Sequence, residues 1–410
     1  MDGSRGADPM TTAKKTKQKT SGRRGASTTN VVVLGGGLIG SVIASDLAAS
    51  RGMRVMVADA DAASLKNCVR RAERPIETVE ADLADAGEIA KAIADADLVV
   101  GALPSGLGMN ALETVIDVGR HYVDISFMSE DNLHLAERAK KKRLSVVVDI
   151  GVAPGMSNLL CGYGARKLDR CDRLEILVGG LPRHRHWPWE YKASWSPGDV
   201  LEEYVRPVRV VEKGEIVWKE ALAEPELVDF EGVGTLETFL TDGLRSLADT
   251  LDVPDMVEKT MRFPGHIELM RVMRHLGLFS AEPVTLPDGT TIRPLDLTSH
   301  LLFPQWKFEK GEPDCTIMRI TAEGLLGRIP TRMMWDLVDD LDPATGFSSM
   351  SRCTAFPAAA MARMIADGTF KRRGVFAPEQ IANDKGLLER MLKELKARGV
   401  EYRATVESID

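Results

Sequence analysis

Residues 31–40 read Val31-Val32-Val33-Leu34-Gly35-Gly36-Gly37-Leu38-Ile39-Gly40, four consecutive apolar residues running into a glycine cluster and then into a helical pattern. An apolar run of this length suits a strand covered on both faces, as in a parallel sheet. The glycine spacing suits a strand-to-helix turn that approaches a dinucleotide. Gly35 permits the tight turn, Gly37 lets the backbone approach a pyrophosphate, and Gly40 allows the helix to pack closely on the strand. Leu38 and Ile39 open the helix, whose free N–H groups would face the phosphates.

Working outward, the same alternation continues to about Gly151. Strands are predicted at Val31–Leu34, Arg54–Ala58, Glu77–Glu80, Leu98–Ala102, Tyr122–Asp124 and Ser145–Asp149, and helices at Leu38–Ser50, Ala62–Arg71, Ala84–Ala94, Met109–Val118 and Glu130–Lys142. Strand–helix alternation predicts an α/β, Rossmann-type doubly wound parallel sheet over residues 30–150. The second strand ends in Asp59, whose carboxylate would accept from the adenosine ribose hydroxyls and repel the extra phosphate of NADP. Ala60 and Asp61 supply no cation to receive that phosphate, so the expected cofactor is NAD.

Ligands of such sheets lie beyond the carboxyl ends of the strands. Asp82 after the third strand, Ala102-Leu103-Pro104 after the fourth, Asp124 and Ser126 at the fifth, and Gly151 and Pro154 after the sixth are therefore further cofactor candidates. Asp124 and Asp149 would bring carboxylates to the nicotinamide, although each could instead cap a helix or pair with a local Arg.

Beyond Gly151 the alternation fades. Residues 151–350 are expected to form an α+β substrate and dimerisation domain, with an apolar run at Leu174–Leu181, helices at Thr235–Leu251 and His266–Leu276, and a strand at Thr316–Thr321. Residues 351–410 carry two further helical patterns, Ala355–Ile365 and Lys385–Arg398, expected to return to the Rossmann domain because each has an apolar face to cover.

Composition narrows the function classes. Of 410 residues, 44% are hydrophobic and 28% charged, with net charge −7, as in ordinary globular proteins. Residues 1–29 hold seven Lys or Arg and no apolar run, and read as a disordered basic tail and not as a secretory leader. No stretch of about 18 apolar residues exists to span a bilayer. The five cysteines form no CxxC pair, which argues against disulfides and zinc and suits a cytoplasmic protein. No metal, nucleic-acid partner or membrane partner is expected.

The stretch Val148-Asp149-Ile150-Gly151-Val152-Ala153-Pro154-Gly155-Met156-Ser157-Asn158 resembles the domain junction of the saccharopine dehydrogenase family. Val178-Gly179-Gly180-Leu181-Pro182, Tyr191-Lys192-Ala193-Ser194-Trp195-Ser196-Pro197, Thr241-Asp242-Gly243-Leu244-Arg245, Arg262-Phe263-Pro264-Gly265-His266, Thr345-Gly346-Phe347 and Phe356-Pro357-Ala358 extend the resemblance in order to about Arg398. It implies the return of the chain's end to the Rossmann domain and a homodimer formed through the second domain. Within the family the chain is most similar to lysine 6-dehydrogenases. The glutamate-forming reductases resemble one another in an acidic residue where Ala153 stands and an Arg where Gly198 stands.

The reaction so implied is oxidative deamination of the ε-amino group of L-lysine. A carboxylate or imidazole must take the ammonium proton before the carbon can be oxidised. Asp124, Asp149 and His266 are the acid–base candidates; Tyr191 and Lys192 would position the amine, and Arg245 or Arg262 would grip the α-carboxylate. Cleavage or formation of a secondary amine, such as saccharopine or a carboxylated polyamine, uses the same chemistry with another carboxylate. Arg183 and Arg185 would then have to point into the cleft. A protein that binds NAD without turnover is the third reading, distinguished by whether these side chains converge.

Overall fold

In the computed structural model, which describes residues 28–409, Thr29–Leu34 forms β1, an interior strand of a parallel sheet. Val31, Val32, Val33 and Leu34 are all buried, as the unbroken apolar run requires. Around it lie β2 (Met53–Asp59), β3 (Glu77–Glu80), β4 (Leu98–Gly101), β5 (His121–Asp124) and β6 (Ser145–Val147). Helices α1 (Leu38–Ala48), α2 (Ala62–Arg71), α3 (Ala86–Ala92), α4 (Ser105–Val118) and α5 (Ala136–Lys141) connect them. The sheet order reverses between β1 and β4, which places a ligand crevice at the carboxyl ends of these strands.

The second sheet is mixed and nine-stranded. After α6 (Met156–Lys167) come β7 (Arg170–Pro182), α7 (Pro197–Glu203), β8 (Val208–Glu212), β9 (Glu215–Lys219), β10 (Glu226–Phe230), β11 (Gly234–Leu240), α8 (Leu247–Thr250) and β12 (Asp255–Arg262). Then follow α9 (His266–His275), the two-stranded β13 (Val284–Thr285) and β14 (Thr291–Ile292), α10 (Pro294–Trp306), β15 (Asp314–Leu326) and β16 (Ile329–Asp340). The helix expected over Thr235–Leu251 is strand from Thr235 to Leu240, where β-branched and aromatic residues pair antiparallel with β10 and, from Glu237 on, with β12, and only Leu247–Thr250 is helical.

The chain's end serves both sheets. Helix α11 (Ser349–Ala366), buried along most of its length, packs on α1, and Arg363 reaches Asp46 of that helix at 2.7 Å. Strand β17 (Gly374–Phe376) pairs with β6 and makes the parallel sheet seven-stranded, where six strands were expected. After α12 (Pro378–Ile381) and α13 (Leu387–Lys396), β18 (Tyr402–Ser408) pairs with β16. The expectation that all of 351–410 joins the Rossmann unit is thereby corrected, because the free edge of β16 takes the last strand. Most of the basic tail expected at residues 1–29 lies outside the described residues. Among the described residues no helix is long and apolar enough to cross a membrane, and no group of three or more His, Cys, Asp or Glu is placed to hold a metal.

Candidate active site

The glycine turn is built to leave room for a ligand. Gly35 has φ +97°, and a Cβ there would lie 2.4 Å from the Ala102 carbonyl oxygen; one on Gly40 would lie 1.9 Å from that of Gly35. No protein atom lies within 4 Å of where a Cβ on Gly37 would be, and α1 has no side-chain cap, so its first N–H groups stay available to an anion. Leu38 is 59% exposed beside this opening, and Ile39 lines the cavity described below. Asp59 accepts from the Gly36 N–H at 2.6 Å through one oxygen and from the Asp61 N–H at 2.8 Å through the other. It fixes the loop from the carboxyl end of β2. Ala60 is exposed, and Asp61 caps α2 through the N–H groups of Ala63 and Ser64. These features fit a dinucleotide.

Other cofactor candidates are placed differently from one another. Asp82 is exposed and turns its carboxylate onto the Ala84 N–H, so it shapes the turn before α3. Ala102 meets the glycine loop, Leu103 is buried in the core and Pro104 is the exposed residue that starts α4. Asp124 is fully buried and accepts from the Tyr122 hydroxyl at 2.8 Å and from the Ser126 N–H and hydroxyl at 2.8 and 2.7 Å. Burial pushes its pKa up to about 7 against those bonds. Its carboxylate is enclosed by these partners and does not line the cavity described below, so Asp124 positions Ser126 and the loop around Leu103 where acid–base work was expected of it.

A cavity of about 120 Å³ opens between the two sheets, walled by Ile39, Ile125, Gly151 and Pro154 on the cofactor side and by Trp195, Glu203, Thr260 and Arg262 on the other. Asp149 lines it. Its φ is +53°, it is 4% exposed, and Oδ1 is buried without a hydrogen-bond partner. Burial raises its pKa while neighbouring Arg245 opposes the rise. Arg245 itself lies over the Phe127 ring at 4.7 Å and donates to the Met128 carbonyl, so it holds that loop and faces Asp149; the expected carboxylate grip is corrected.

Arg262 does line the cavity. It is 2% exposed, donates to Glu203 at 3.3 Å and to the Met261 carbonyl at 3.0 Å, and its Nε has no partner. Tyr191 lies beneath it, with the guanidinium 4.3 Å from the ring centroid, and its buried hydroxyl is unpartnered. Two expectations fail here. Lys192 is turned to Glu312 at 2.6 Å, away from the cavity, because this half-buried ammonium needs a counter-charge. His266 is fully buried, with Nδ1 2.7 Å from the Trp189 carbonyl and Nε2 2.8 Å from the Tyr204 hydroxyl. Burial, reinforced by Arg262, pushes its pKa down to about 3, so the ring is a neutral packing element and no acid–base group.

Several cavity residues were not singled out from the sequence: Phe127, Glu203, Glu258 and Thr260, with Trp195 quoted only within a longer run. A signal for some of them exists. In β12, Glu258, Thr260 and Arg262 recur at every second position and therefore share one face, a polar stripe inside a buried strand. The cavity continues past Thr260 into an inner limb of about 50 Å³ lined by Asp199, Glu202, Glu203, Asp242, Glu258 and Arg206.

With this geometry, comparison with known proteins is informative. The saccharopine dehydrogenase NADP binding domain model matches residues 31–147, and the saccharopine dehydrogenase C-terminal domain model matches residues 151–400. The chain is 23% identical to a saccharopine dehydrogenase [NADP(+), L-glutamate-forming] of Pyricularia oryzae, over 93% of this chain and 99% of that one. It is 22% identical to a carboxynorspermidine synthase of Vibrio cholerae, over 78% and 81%. The solved apo saccharopine dehydrogenase (L-Glu forming) of Saccharomyces cerevisiae superposes with a TM-score of 0.77 at 18% identity, covering 92% of this chain and all of that one; the two share a fold.

Proposed function

The chain belongs to the saccharopine dehydrogenase family, and from that premise we propose that it is an NAD-dependent oxidoreductase of an amine C–N bond, with the ε-amino group of L-lysine as its substrate group. The observation that carries this reading is the convergence, in one cavity beside the glycine turn, of the buried Asp149 carboxylate, whose Oδ1 has no hydrogen-bond partner, and the Arg262 guanidinium. When bound, the nicotinamide accepts the two electrons and one hydrogen lost from the carbon bearing the amine. Asp149 takes the ammonium proton, and burial, which raises its pKa, makes it a stronger base than an exposed carboxylate. Oxidation leaves an iminium, water adds to its carbon, and ammonia departs to give the semialdehyde, which cyclises. Arg262 receives the α-carboxylate, and Trp195 and Phe127 provide apolar walls for the chain between.

NAD is favoured over NADP by Asp59 and by the engagement of Arg71, which stacks on Phe347 at 4.6 Å and donates to the Gly346 carbonyl at 3.1 Å. A clamp for an additional carboxylate finds no support in the loop at Arg183 and Arg185. Arg183 pairs with Asp340 at 3.4 Å, and Arg185 pairs with Glu190 at 2.7 Å. A polyamine substrate keeps support as a second reading, because the inner limb is predominantly acidic. With lysine and NAD, Asp149→Asn should lower kcat by about 10²–10⁴-fold with little change in KM. An unchanged kcat would remove Asp149 from the reaction.

A further inference from the structure

The polar stripe of β12 ends at a residue that the reaction above does not use. Glu258 is 4% exposed and lines the inner limb. Its Oε2 accepts from the Thr241 hydroxyl at 2.5 Å, and that hydroxyl is also 2.8 Å from Thr260 Oγ1. Gly243 gives the carboxylate its space, since a Cβ there would lie 2.4 Å from Oε2.

Three of the four other carboxylates lining this limb have partners. Glu203 pairs with Arg262, Asp242 pairs with Arg209 at 3.2 Å, and Asp199 accepts from the Ser105 hydroxyl at 3.0 Å. Among the described residues no Lys, Arg or His forms an ion pair with Glu258. Burial, opposed by Thr241, pushes its pKa up to about 8, with Glu203 and Asp242 adding repulsion. A buried carboxylate without a cation is costly, and a ligand cation would relieve that cost.

The two limbs form one passage, because Phe127, Ala153, Val178, Glu203 and Thr260 line both. Asp149 and Arg262 line the outer limb, and Asp149 Oδ1 and Arg262 Nε are buried without hydrogen-bond partners. The inner limb, with five carboxylates against Arg206, suits a positive charge.

We infer that Glu258, held by Thr241, accepts a second, non-reacting ammonium group of the substrate at the inner end of the cavity. The inference rests on the proposed reading that the cavity holds an amine, and it adds which amines: those carrying another ammonium beyond the carbon chain. For lysine that group is the α-ammonium, so Arg262 and Glu258 together read the zwitterionic end while the ε-amine faces Asp149. A monoamine leaves Glu258 uncompensated.

The test is calorimetric titration of the full chain in its NADH complex with 1,5-diaminopentane and with 1-aminopentane. The diamine should bind at least tenfold more tightly. Glu258→Gln should remove that preference while leaving 1-aminopentane within about twofold, with NADH affinity and melting temperature reporting that the variant is folded. Thr241→Val, which keeps the carboxylate and removes its hydroxyl partner, should reduce the same preference and serves if Glu258→Gln does not fold. Equal affinity for the two amines in the unmodified protein, or a preference that survives both substitutions, overturns the inference.

Turnover separates this inference from the reaction itself. If no amine is oxidised with NAD yet the diamine preference is present and depends on Glu258, the reaction fails and the ammonium site stands. If lysine is oxidised but 6-aminohexanoate, which lacks only the α-ammonium, is equally efficient, the reaction stands and the ammonium site falls.

Discussion

Replacing Asp59 with alanine should collapse the choice between the two nicotinamide cofactors. The carboxylate holds the Gly36 N–H at 2.6 Å and the Asp61 N–H at 2.8 Å, and it stands where ribose hydroxyls would add further bonds. Hydrogen bonds to a charged group contribute about 1.5–3 kcal/mol each, and those of this half-exposed carboxylate belong at the lower end. Loss of the ribose bonds and loosening of the glycine loop together should weaken NAD by roughly 2–3 kcal/mol, on the order of 100-fold. NADP also loses the loop support but is relieved of repulsion between its extra phosphate and Asp59, about 1–4 kcal/mol for unit charges some 4 Å apart. Its affinity should therefore change little, and the preference for NAD should fall at least tenfold. Fluorescence titration with NADH and NADPH measures both. An unmodified protein that binds the two equally, or a variant that keeps the original preference, would refute the role given to Asp59.

Gly40→Ala places a Cβ 1.9 Å from the Gly35 carbonyl oxygen, so the loop must move and NADH binding should weaken more than tenfold; retained affinity would mean the turn adapts. The raised pKa of Glu258 has a consequence for pH. Because its folded value of about 8 lies above the ordinary 4.5, the native state binds the proton more tightly; the stabilisation is full below about 4.5 and is lost as pH rises through about 8. Melting curves of the unliganded protein should thus fall relative to those of Glu258→Gln across that window, and parallel curves would contradict the shift. Deleting everything after Ser349 removes the buried helix packed on α1, the seventh parallel strand and β18, so both melting temperature and NADH affinity should drop sharply. Unchanged values would show that the cofactor unit is self-sufficient.

The cofactor half was readable because its signals are local. An apolar strand, a glycine turn and an acidic residue closing the next strand each state their own geometry, and α2 and β3 have the bounds that periodicity assigns. The substrate half was less readable because its strands pair across long separations. Thr235–Leu240 is apolar enough to pass for helix until β12 is known to lie beside it. Side-chain direction was equally hidden. Lys192 and His266 sit in segments that carry the family resemblance, but a counter-charge at Glu312 and enclosure by Trp189 and Tyr204 decide where they point. Glu258 was legible in principle from its two-residue spacing with Thr260 and Arg262, provided β12 was recognised as a strand.

The central claim is that this cavity oxidises an amine bearing a second ammonium, with NAD as acceptor. The most direct measurement is NADH absorbance on incubating the full chain with NAD, and in parallel NADP, and a panel of L-lysine, L-ornithine, saccharopine, 1,5-diaminopentane, carboxylated diamines and 6-aminohexanoate. NADH should form with lysine, at a kcat/KM at least tenfold above that with 6-aminohexanoate and above that with saccharopine, and NAD should be preferred over NADP. Turnover confined to saccharopine with NADP, or no absorbance change with any amine, would contradict it.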